Sequence, residues 1–422
     1  MRNRLTLHHA LFTALALSNV CWAEKTPSTT VLRAATSNNA LAFDLYAQAI
    51  ALKSESANFA FAPISISSAL SMTLDGARGA TATQMNTVLH LPIGRSDAVA
   101  SAGHLLKSIE ASAVAANVDL KIANRLFGAS GYHFEPEFLN RSERFFGAPL
   151  ESLDFARASE KSRLHINHWV ETQTENRIKD LLPMGGISAN TRLVLTNAVY
   201  FSADWNQTFA ERSTHPAAFQ LTETKSVLVP TMSQLAVFRF SQNKAVSVLE
   251  MPYVGGTTSM LFVLPDKSST LAALEATLEA RLMEQWLHEM QPQEVMVYLP
   301  KFEINSTERL SKHLTSLGMP RAFDAGAADF SGIAKPNSHG AKLSISEVFH
   351  KAFIKVDEVG TEAAAATAVV VESDGAAFNP NATPIAEFRA DRPFVFILRD
   401  VKTGTILFIG RVGDPGSGFV GN

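Results

Sequence analysis

The sequence predicts a single α+β domain, and three observations support this fold class. Helical periodicity is concentrated in the first half of the chain and strand patterns dominate the second half, a separation typical of α+β folds. Apolar residues make up 46% and charged residues 18% of the 422 residues, which provides ample material for one large core. The chain has no internal repeat and no long linker that would divide it.

The first 23 residues have the pattern of a secretory leader. Arg2 and Arg4 form a basic start, Leu11–Val20 is mostly apolar, and Cys21-Trp22-Ala23 ends in a small residue suited to cleavage. A lipid anchor on Cys21 is the alternative, although valine fits poorly just before a lipidated cysteine. We therefore predict secretion to the periplasm or to the exterior of the cell.

Removal of residues 1–23 would leave a mildly acidic chain without cysteine. Because only Arg2 and Arg4 are lost, 35 basic and 40 acidic side chains remain, with a formal net charge of −5. The mature chain then forms no disulfide and depends on packing for its stability, which is more typical of bacterial than of animal secreted proteins. It has no basic run that would indicate nucleic-acid binding and no further apolar stretch long enough to span a membrane. No cofactor or metal is predicted.

Helix and strand signals follow the leader. Residues 24–36 are small and polar and are predicted to form a flexible lead-in. Ser37-Asn38-Asn39 is predicted to cap an amphipathic helix whose apolar stripe includes Leu41 and Leu45. The pattern then predicts, in order, a buried strand at 59–61, a helix begun by Pro63, a strand at 118–127 and a helix at 159–174.

Strands dominate the rest of the chain. Residues 193–201 form a long apolar run, as expected of a central strand. The remaining signals are strands at 246–252 and 260–264, a helix at 271–290, a strand at 295–299, and a hairpin of 394–398 and 405–412 joined by residues 400–404.

A run of small residues at 356–368 is the most informative feature of the chain. Gly360 is predicted to act as a pivot, because a residue without Cβ tolerates unusual dihedral angles. If the run is a strand, its period of two places Thr361, Ala363, Ala365 and Thr367 on one face. The run of alanines is equally compatible with a surface helix, although the β-branched Val369-Val370-Val371 that follows favours a strand.

This segment resembles the hinge of the reactive loop in inhibitory serpins, which are serine protease inhibitors that insert this loop into their own β-sheet. The resemblance extends over residues 37–415 and includes seven further segments in the order of the family. These segments are Asn58–Ser65, Thr196–Phe201 with Trp205, Leu249–Tyr253, Leu299–Phe302, Ile345–Lys355, Phe388–Phe394 and Phe408–Val412.

The resemblance implies a serpin fold. In this fold, helices surround a large central mixed sheet and two further β-sheets, and the reactive loop is exposed. The loop would occupy about residues 358–390 of a single domain at 37–415, and residues 416–422 would form a C-terminal tail.

The resemblance also assigns functional residues. The shutter, which controls opening of the central sheet, corresponds to Ser65, Asn197 and His350, and the breach, where the hinge enters the sheet, corresponds to Trp205. Ala62 departs from the family, which usually has serine there, and we expect the shutter to lose one hydrogen bond of about 1 kcal/mol. The hinge corresponds to Glu358, Gly360, Thr361, Glu362, Ala363, Ala364, Ala365 and Ala366.

The spacing typical of the family places the reactive bond between Asp374 and Gly375. The loop is several residues longer than in common serpins, and the additional length lies at 372–387, beyond this bond. Alternative bonds at Val371, Ala377 or Phe378 would suit proteases that resemble elastase or subtilisin.

The resemblance implies that the chain is a suicide inhibitor and not an enzyme. Its partner would be a serine or cysteine protease, held in a covalent complex by a monomeric inhibitor. The alternative is a serpin that does not inhibit and serves as a carrier, a chaperone or a protease substrate. The predicted inward face of residues 361–368 has no bulky or charged residue that would prevent insertion, and this favours inhibition.

Two other chemistries have weaker support. Ser241-Gln242-Asn243-Lys244 and Lys402-Thr403-Gly404 match short motifs of β-lactamases, but both lie in strand or turn contexts. His165 and His168 lie three residues apart on a predicted helix and could begin a metal site, but the sequence identifies no further ligand.

Overall fold

The computed structural model describes residues 26–54, 56–91, 95–361 and 385–419. None of the helices within these ranges combines the length and the apolar character needed to cross a membrane. The helices are α1 (Thr29–Leu52), α2 (Pro63–Gly76), α3 (Gly79–Val88), α4 (Arg95–Ala115), α5 (Pro136–Phe146), α6 (Phe155–Gln173), α7 (Leu271–Glu275), α8 (Ala280–Glu289) and α9 (Ser311–Leu317), with short 3-10 helices at Glu211–Ser213, Pro320–Phe323 and Pro415–Phe419.

The strands agree with most of the sequence-based predictions, including the buried run that begins at Leu193 and the C-terminal hairpin. They are β1 (Phe59–Phe61), β2 (Asp119–Ala129), β3 (Glu151–Leu153), β4 (Leu193–Asp204), β5 (His215–Thr222), β6 (Lys225–Gln242), β7 (Val246–Pro252), β8 (Thr258–Pro265), β9 (Gln291–Pro300), β10 (Phe302–Arg309), β11 (Ile345–Val356), β12 (Gly360–Thr361), β13 (Ala386–Arg389), β14 (Phe394–Asp400) and β15 (Ile406–Val412).

The central sheet has the strand order β10-β11-β12-β4-β2-β3. Its two middle long strands, β11 and β4, run parallel and pair directly from Ile345 opposite Leu193 to Phe353 opposite Tyr200. The short β12 lies between them beyond this paired region and is antiparallel to both. The central sheet is therefore mixed, as predicted, and its middle strands separate at one end.

The other strands form one continuous second sheet instead of the two further sheets that were predicted. Its order is β1-β15-β14-β8-β7-β6-β9-β13, with β5 added beside β6. The physical reason is the 18-residue length of β6. Its first part pairs with β5, its middle part with β9 and its last part with β7, so that one strand belongs to both predicted sheets.

The buried apolar residues form two clusters. One cluster packs α1, α2 and α6 against the central sheet and includes Leu41, Ile66 and Val170. The other cluster lies between the second sheet and the part of the central sheet where β4 and β11 separate. It includes Phe201, Phe262 and Ile354. The end of the central sheet that holds β12 therefore faces a packed apolar interior.

The predicted lead-in at 24–36 is wrong for residues 29–36, because α1 begins at Thr29 and not after Ser37. The hydroxyl of Ser28 accepts a hydrogen bond from the amide of Val31 and caps the helix. The first turns are stabilised by burial of Val31, Ala34 and Ala35 in the second cluster. The polar run at 37–39, predicted to be a cap, is buried instead: Asn38 and Asn39 donate to the carbonyl groups of Ile406 and Gly404.

The predicted helix at 271–290 is two helices, α7 and α8. The first ends at Glu275, whose carboxylate is buried and accepts hydrogen bonds from Tyr46 at 2.7 Å and from Arg411 at 3.3 Å. These contacts with α1 and β15 hold the end of α7 in place. The amphipathic pattern of residues 271–290 contains no sign of them, so it predicted one longer helix.

Candidate functional site

The first residues of the predicted hinge already lie within the central sheet. Thr361 in β12 is the register partner of Val356 in β11 and of Ala203 in β4, and Gly360 is the partner of Asp204. The segment 360–361 therefore occupies the gap between two strands that pair directly with each other farther along. Glu362, Ala363–Ala366 and the predicted bond between Asp374 and Gly375 lie outside the described residues.

A close approach of two backbones leaves no room for a side chain at Gly360. Its φ is not positive in this conformation, and its role as a pivot stays a prediction. A Cβ atom at Gly360 would lie 2.1 Å from the carbonyl oxygen of Ala203 and 2.7 Å from the Cα of Asp204. Any side chain would therefore push β12 away from β4.

The side chain of Thr361 is fully buried and points toward aromatic residues of the interior. Its hydroxyl lies 2.6 Å from the hydroxyl of Tyr253, whose ring stacks on Trp205 with a centroid distance of 4.3 Å. Burial raises the pKa of Tyr253, so its phenol stays neutral and can donate or accept a hydrogen bond. Sequence reasoning did not identify Tyr253 as part of this site, although it ends one of the family segments.

Trp205, the predicted breach residue, holds the segment that precedes β12. Its backbone amide donates to the carbonyl of Val359 at 2.7 Å, and its indole nitrogen donates to the carbonyl of Asp357 at 3.1 Å. The amide of Phe209 donates to the carbonyl of Glu358 at 2.9 Å. Three successive carbonyl groups of residues 357–359 are thus bound by one short segment after β4.

The side chain of Glu358, a residue of the predicted hinge, is bound by two groups that the sequence did not reveal. One carboxylate oxygen accepts from Lys301 at 2.7 Å and the other accepts from the hydroxyl of Thr214 at 2.8 Å. Burial opposes the ionisation of Glu358, but the hydrogen bonds from Lys301 and Thr214 outweigh it, so the pKa of Glu358 is lowered. Lys301 is 57 residues and Thr214 is 144 residues away along the chain, so no local pattern could indicate either contact.

The three predicted shutter residues belong to one buried network that a fourth residue, Asn124, completes. Nδ1 of His350 hydrogen-bonds to Oδ1 of Asn197, and Nδ2 of Asn197 donates to Oδ1 of Asn124 at 3.0 Å. The hydroxyl of Ser65 donates to the same oxygen of Asn124 at 2.6 Å. Asn124 on β2 therefore links Ser65 on α2 to Asn197 on β4.

Ala62 belongs to the same network through its backbone. Its amide donates to Nε2 of His350 at 3.2 Å, a bond that does not depend on the side chain at position 62. Because Nε2 accepts this bond, the neutral imidazole carries its proton on Nδ1 and donates to Asn197.

Burial lowers the pKa of His350 to about 3, and this predicts a loss of stability in acid. The unfolded chain takes up a proton near pH 6.5, whereas the folded chain does not until about pH 3. The unfolded state therefore binds more protons between these values, and the free energy of unfolding falls by about 1.4 kcal/mol for each pH unit below 6.5. We expect urea denaturation to show a loss of about 2 kcal/mol between pH 7 and pH 5.

The variant His350→Gln identifies the group responsible, because glutamine can also accept from Ala62 and donate to Asn197. We expect a smaller decrease with pH in this variant. Part of the decrease in stability with falling pH should remain, because burial also lowers the pKa of His313. The matched control is His313→Gln, which removes this second histidine and keeps His350. An unchanged pH slope in His350→Gln would exclude this role for His350.

The structure gives no support to the two weaker chemistries. Ser241 lies within β6, opposite Val248, and does not begin a helix. His165 contacts Glu151 at 2.6 Å. Among the described residues, no group of three or more His, Cys, Asp or Glu side chains is arranged to bind a metal ion.

Comparison with known proteins places the whole arrangement in one family. The family model described as "Serpin (serine protease inhibitor)" matches residues 36–415. The chain belongs to the serpin family. This membership confirms the predicted fold and the predicted class, a protease inhibitor and not an enzyme.

Several curated relatives are similar to this serpin over nearly their whole length. Leukocyte elastase inhibitor A of Rattus norvegicus is 38% identical over 388 residues, which cover 90% of this chain and 98% of the relative. Leukocyte elastase inhibitor of Sus scrofa is 39% identical over 388 residues, with the same coverage. Serpin B6 of Macaca fascicularis is 38% identical over 367 residues, which cover 86% of this chain and 95% of the relative.

Solved structures show the same fold. Human thyroxine-binding globulin superimposes with a TM-score of 0.80 at 28% identity and covers 92% of this chain and 99% of its own. Serpin48 of Tenebrio molitor has a TM-score of 0.79 at 30% identity, covering 92% of this chain and 100% of its own. Uncleaved ovalbumin has a TM-score of 0.78 at 29% identity, with 91% and 100% covered.

Proposed function

We propose that this serpin inhibits endopeptidases covalently, as a suicide substrate. The nucleophile of the protease attacks the carbonyl carbon of the residue before the reactive bond, the C–N bond breaks, and the new amino terminus leaves with a proton. The resulting ester, or thioester for a cysteine protease, joins the two proteins. Before water hydrolyses this bond, the hinge side of the loop inserts between β11 and β4 and displaces the bound protease.

The position of β12 is the observation that supports this proposal most directly. Gly360 and Thr361 already pair with β4 and β11 at the end where these strands separate. Each further loop residue added in this antiparallel register would lie opposite the preceding residue of both strands. The resulting sets are Ala363 with Phe201 and Ile354, Ala365 with Val199 and Ala352, and Thr367 with Asn197 and His350.

The size of the inward-facing loop side chains favours inhibition over the non-inhibitory alternative. Loop residues at every second position from Thr361 would point into the same interior. This interior is the cluster that contains Phe201, Val199 and Ile354, all fully buried. A close-packed interior accepts a methyl group with little displacement, whereas a larger side chain must move its neighbours. Alanine at 363 and 365 meets this requirement.

The shutter would have to open and form again during insertion. The hydrogen bond between His350 and Asn197 joins the two strands that separate. In the extended register, Thr367 lies opposite both residues, and its hydroxyl group has one donor and two acceptor sites. We infer that Thr367 replaces the broken bond, so that no buried polar group is left without a partner.

The target is proposed from the chemistry of the loop. Asp374 before the bond suits a protease with a pocket for acidic side chains, and Val371 and Ala377 suit elastase-like enzymes. Two of the relatives are named as leukocyte elastase inhibitors. An elastase-like serine protease is therefore the first target to examine. We further propose a monomeric inhibitor, exported by residues 1–23 as in bacterial secreted proteins.

Incubation with a panel of proteases tests the proposal. The panel consists of elastase-like, subtilisin-like, trypsin-like, caspase-like and papain-like enzymes, and the readouts are a denaturing gel and the mass of the released C-terminal peptide. We expect a band at the summed mass of inhibitor and protease that resists denaturant. We also expect a peptide that begins within residues 371–380.

Two outcomes would contradict parts of the proposal. Clean cleavage without a complex for every enzyme would favour the non-inhibitory alternative. A complex whose released peptide begins outside residues 371–380 would retain the mechanism and reject the proposed bond.

A further inference from the structure

Two cationic side chains lie close together at the end of the central sheet opposite to β12. Arg192 directly precedes β4, and Lys342 lies just before β11. Tyr132 lies between them. Its hydroxyl donates to the carbonyl of Lys342 at 3.2 Å, and while burial raises the pKa of its phenol, the neighbouring guanidinium of Arg192 opposes this rise. We call Arg192 and Lys342 the basic pair.

The basic pair has no strong acidic partner in the part of the chain that the structure describes. Nη1 of Arg192 donates to the carbonyl groups of Ala189 at 3.1 Å and Thr191 at 3.2 Å, and not to a carboxylate. Asp329 is the acidic group near Lys342. The pKa of Asp329 is lowered mainly by hydrogen bonds from Ser331, and Lys342 contributes less. The basic pair can therefore bind further acidic groups.

The register of β12 brings Glu372 to Arg192 when the loop inserts. Thr361 is opposite Ala203 on β4. An antiparallel strand that continues from Thr361 advances along β4 residue by residue, so eleven residues farther Glu372 is opposite Arg192. Residues opposite each other in a sheet share a face. Glu372 and Arg192 would therefore be neighbours.

The same register brings Asp374 to Lys342. By the same count along β4, Asp374 is opposite Asn190. A register shift at the start of β11 leaves Ile345 opposite Leu193, so that Lys342 is level with Asn190. A strand inserted between β4 and β11 would therefore place Asp374 beside Lys342. Residues 372–374 themselves lie outside the described residues.

Both loop acids would face away from the apolar interior. Thr361 is fully buried, and every second residue from it points inward, as far as Val371 opposite the fully buried Leu193. Glu372 and Asp374 alternate with these positions. They would lie on the side of the half-buried Arg192 and the exposed Lys342, where a carboxylate pairs with a cation without a large cost of desolvation.

We propose that the basic pair binds Glu372 and Asp374 of the inserted loop, and that this binding lengthens the life of the covalent complex. The proposal rests on the insertion proposed above and adds a binding site for its last residues. Chain ends fray unless they are held, and a frayed end would let the linked protease recover the geometry that hydrolyses the ester. Asp374 would then serve twice, first in recognition by the protease and later in binding to the basic pair.

A double charge reversal in the cut protein tests the binding. A chymotrypsin-like enzyme cuts after Phe378, the one aromatic residue in the sequence 362–384, and this leaves both acids on the inserting strand whichever bond the target uses. The readout is the rise of the thermal midpoint on cutting, so that effects common to both forms cancel. We expect the rise to be smaller by on the order of 3 °C in Arg192→Glu with Lys342→Glu.

The matched control reverses two exposed cations near the ends of β6, Lys225→Glu with Lys244→Glu, and should show the same rise as the wild type. A charge swap covers general effects of the substitutions at the basic pair. Adding Glu372→Lys and Asp374→Lys to the reversed variant should restore the rise. In the wild type, 1 M NaCl should reduce the rise toward that of the reversed variant, because exposed charges are screened.

The lifetime of the covalent complex measures the consequence for inhibition. We expect active protease to be released severalfold faster from the complex of the reversed variant and at the wild-type rate from that of the control. An unchanged lifetime would overturn the role of the basic pair in inhibition.

The outcomes separate this proposal from the proposed function. A wild-type rise in the reversed variant, or no recovery in the charge swap, would overturn the binding and retain insertion. Absence of any rise in the cut wild type would overturn insertion and the binding together. A chain that inserts its cut loop but traps no protease would overturn the proposed inhibition, whereas the midpoints would still decide whether the basic pair binds the loop.

Discussion

Replacement of Thr361 by arginine is expected to convert this serpin from an inhibitor into a substrate. Thr361 is fully buried, and its hydroxyl contacts Tyr253 at 2.6 Å. An arginine there must either place an unpaired charge in the apolar cluster or remain outside the sheet and stop insertion at its first residues. A buried unpaired charge costs several kcal/mol, and each 1.4 kcal/mol corresponds to about a tenfold change in rate.

We therefore expect Thr361→Arg to lower the yield of covalent complex by at least about 100-fold while the loop is still cut. The matched control is Glu362→Arg, which introduces the same side chain at the next position. The strand period places residue 362 on the opposite face, so the control should retain trapping. Wild-type yields of complex in Thr361→Arg would show that inhibition does not require residue 361 to be buried in the sheet.

The predictions that depend on strand period agree with the structure wherever residues are described. Alternation placed Thr361 on the inward face of a strand, and Thr361 is fully buried in β12. The long apolar run at 193–201 became β4 at the middle of the central sheet. Side-chain period and β-branched content are local properties, so a single sequence is enough to predict them.

The contacts that complete the site could not be predicted, because they join distant parts of the chain. Tyr253 meets Thr361 across 108 residues, Lys301 meets Glu358 across 57, and Asn124 meets Ser65 across 59. Such pairs depend on how strands and helices pack, and no local pattern encodes this packing. The family resemblance supplied Ser65, Asn197 and His350, but it did not supply Asn124, which bridges them.

The start of α1 and the packing around Gly360 could not be predicted, for related reasons. The start of α1 at Thr29 depends on burial of Val31, Ala34 and Ala35 in the second cluster. The need for glycine at position 360 depends on the backbone of β4, which passes too close for a Cβ atom. In both places a distant element decides the local structure, so local composition could not indicate it.

A single cut in the loop is expected to stabilise the protein strongly, since it frees residues 362–374 to extend β12 through the central sheet. Pairing on both sides would add on the order of 10 backbone hydrogen bonds. At about 1 kcal/mol each, with about 2 °C in the unfolding midpoint for each kcal/mol, the midpoint should rise by on the order of 20 °C. Thr361→Arg, cut at the same bond, should show little of this gain.

The most direct test of insertion is therefore the thermal unfolding midpoint of the chain before and after one cut within residues 371–380. Circular dichroism at matched pH and concentration is sufficient, with mass spectrometry to confirm that only one bond was cut. We predict a rise on the order of 20 °C for the wild type and a much smaller rise for Thr361→Arg. Equal midpoints for the cut and uncut wild type would show that the loop does not enter the sheet and would contradict the proposed mechanism.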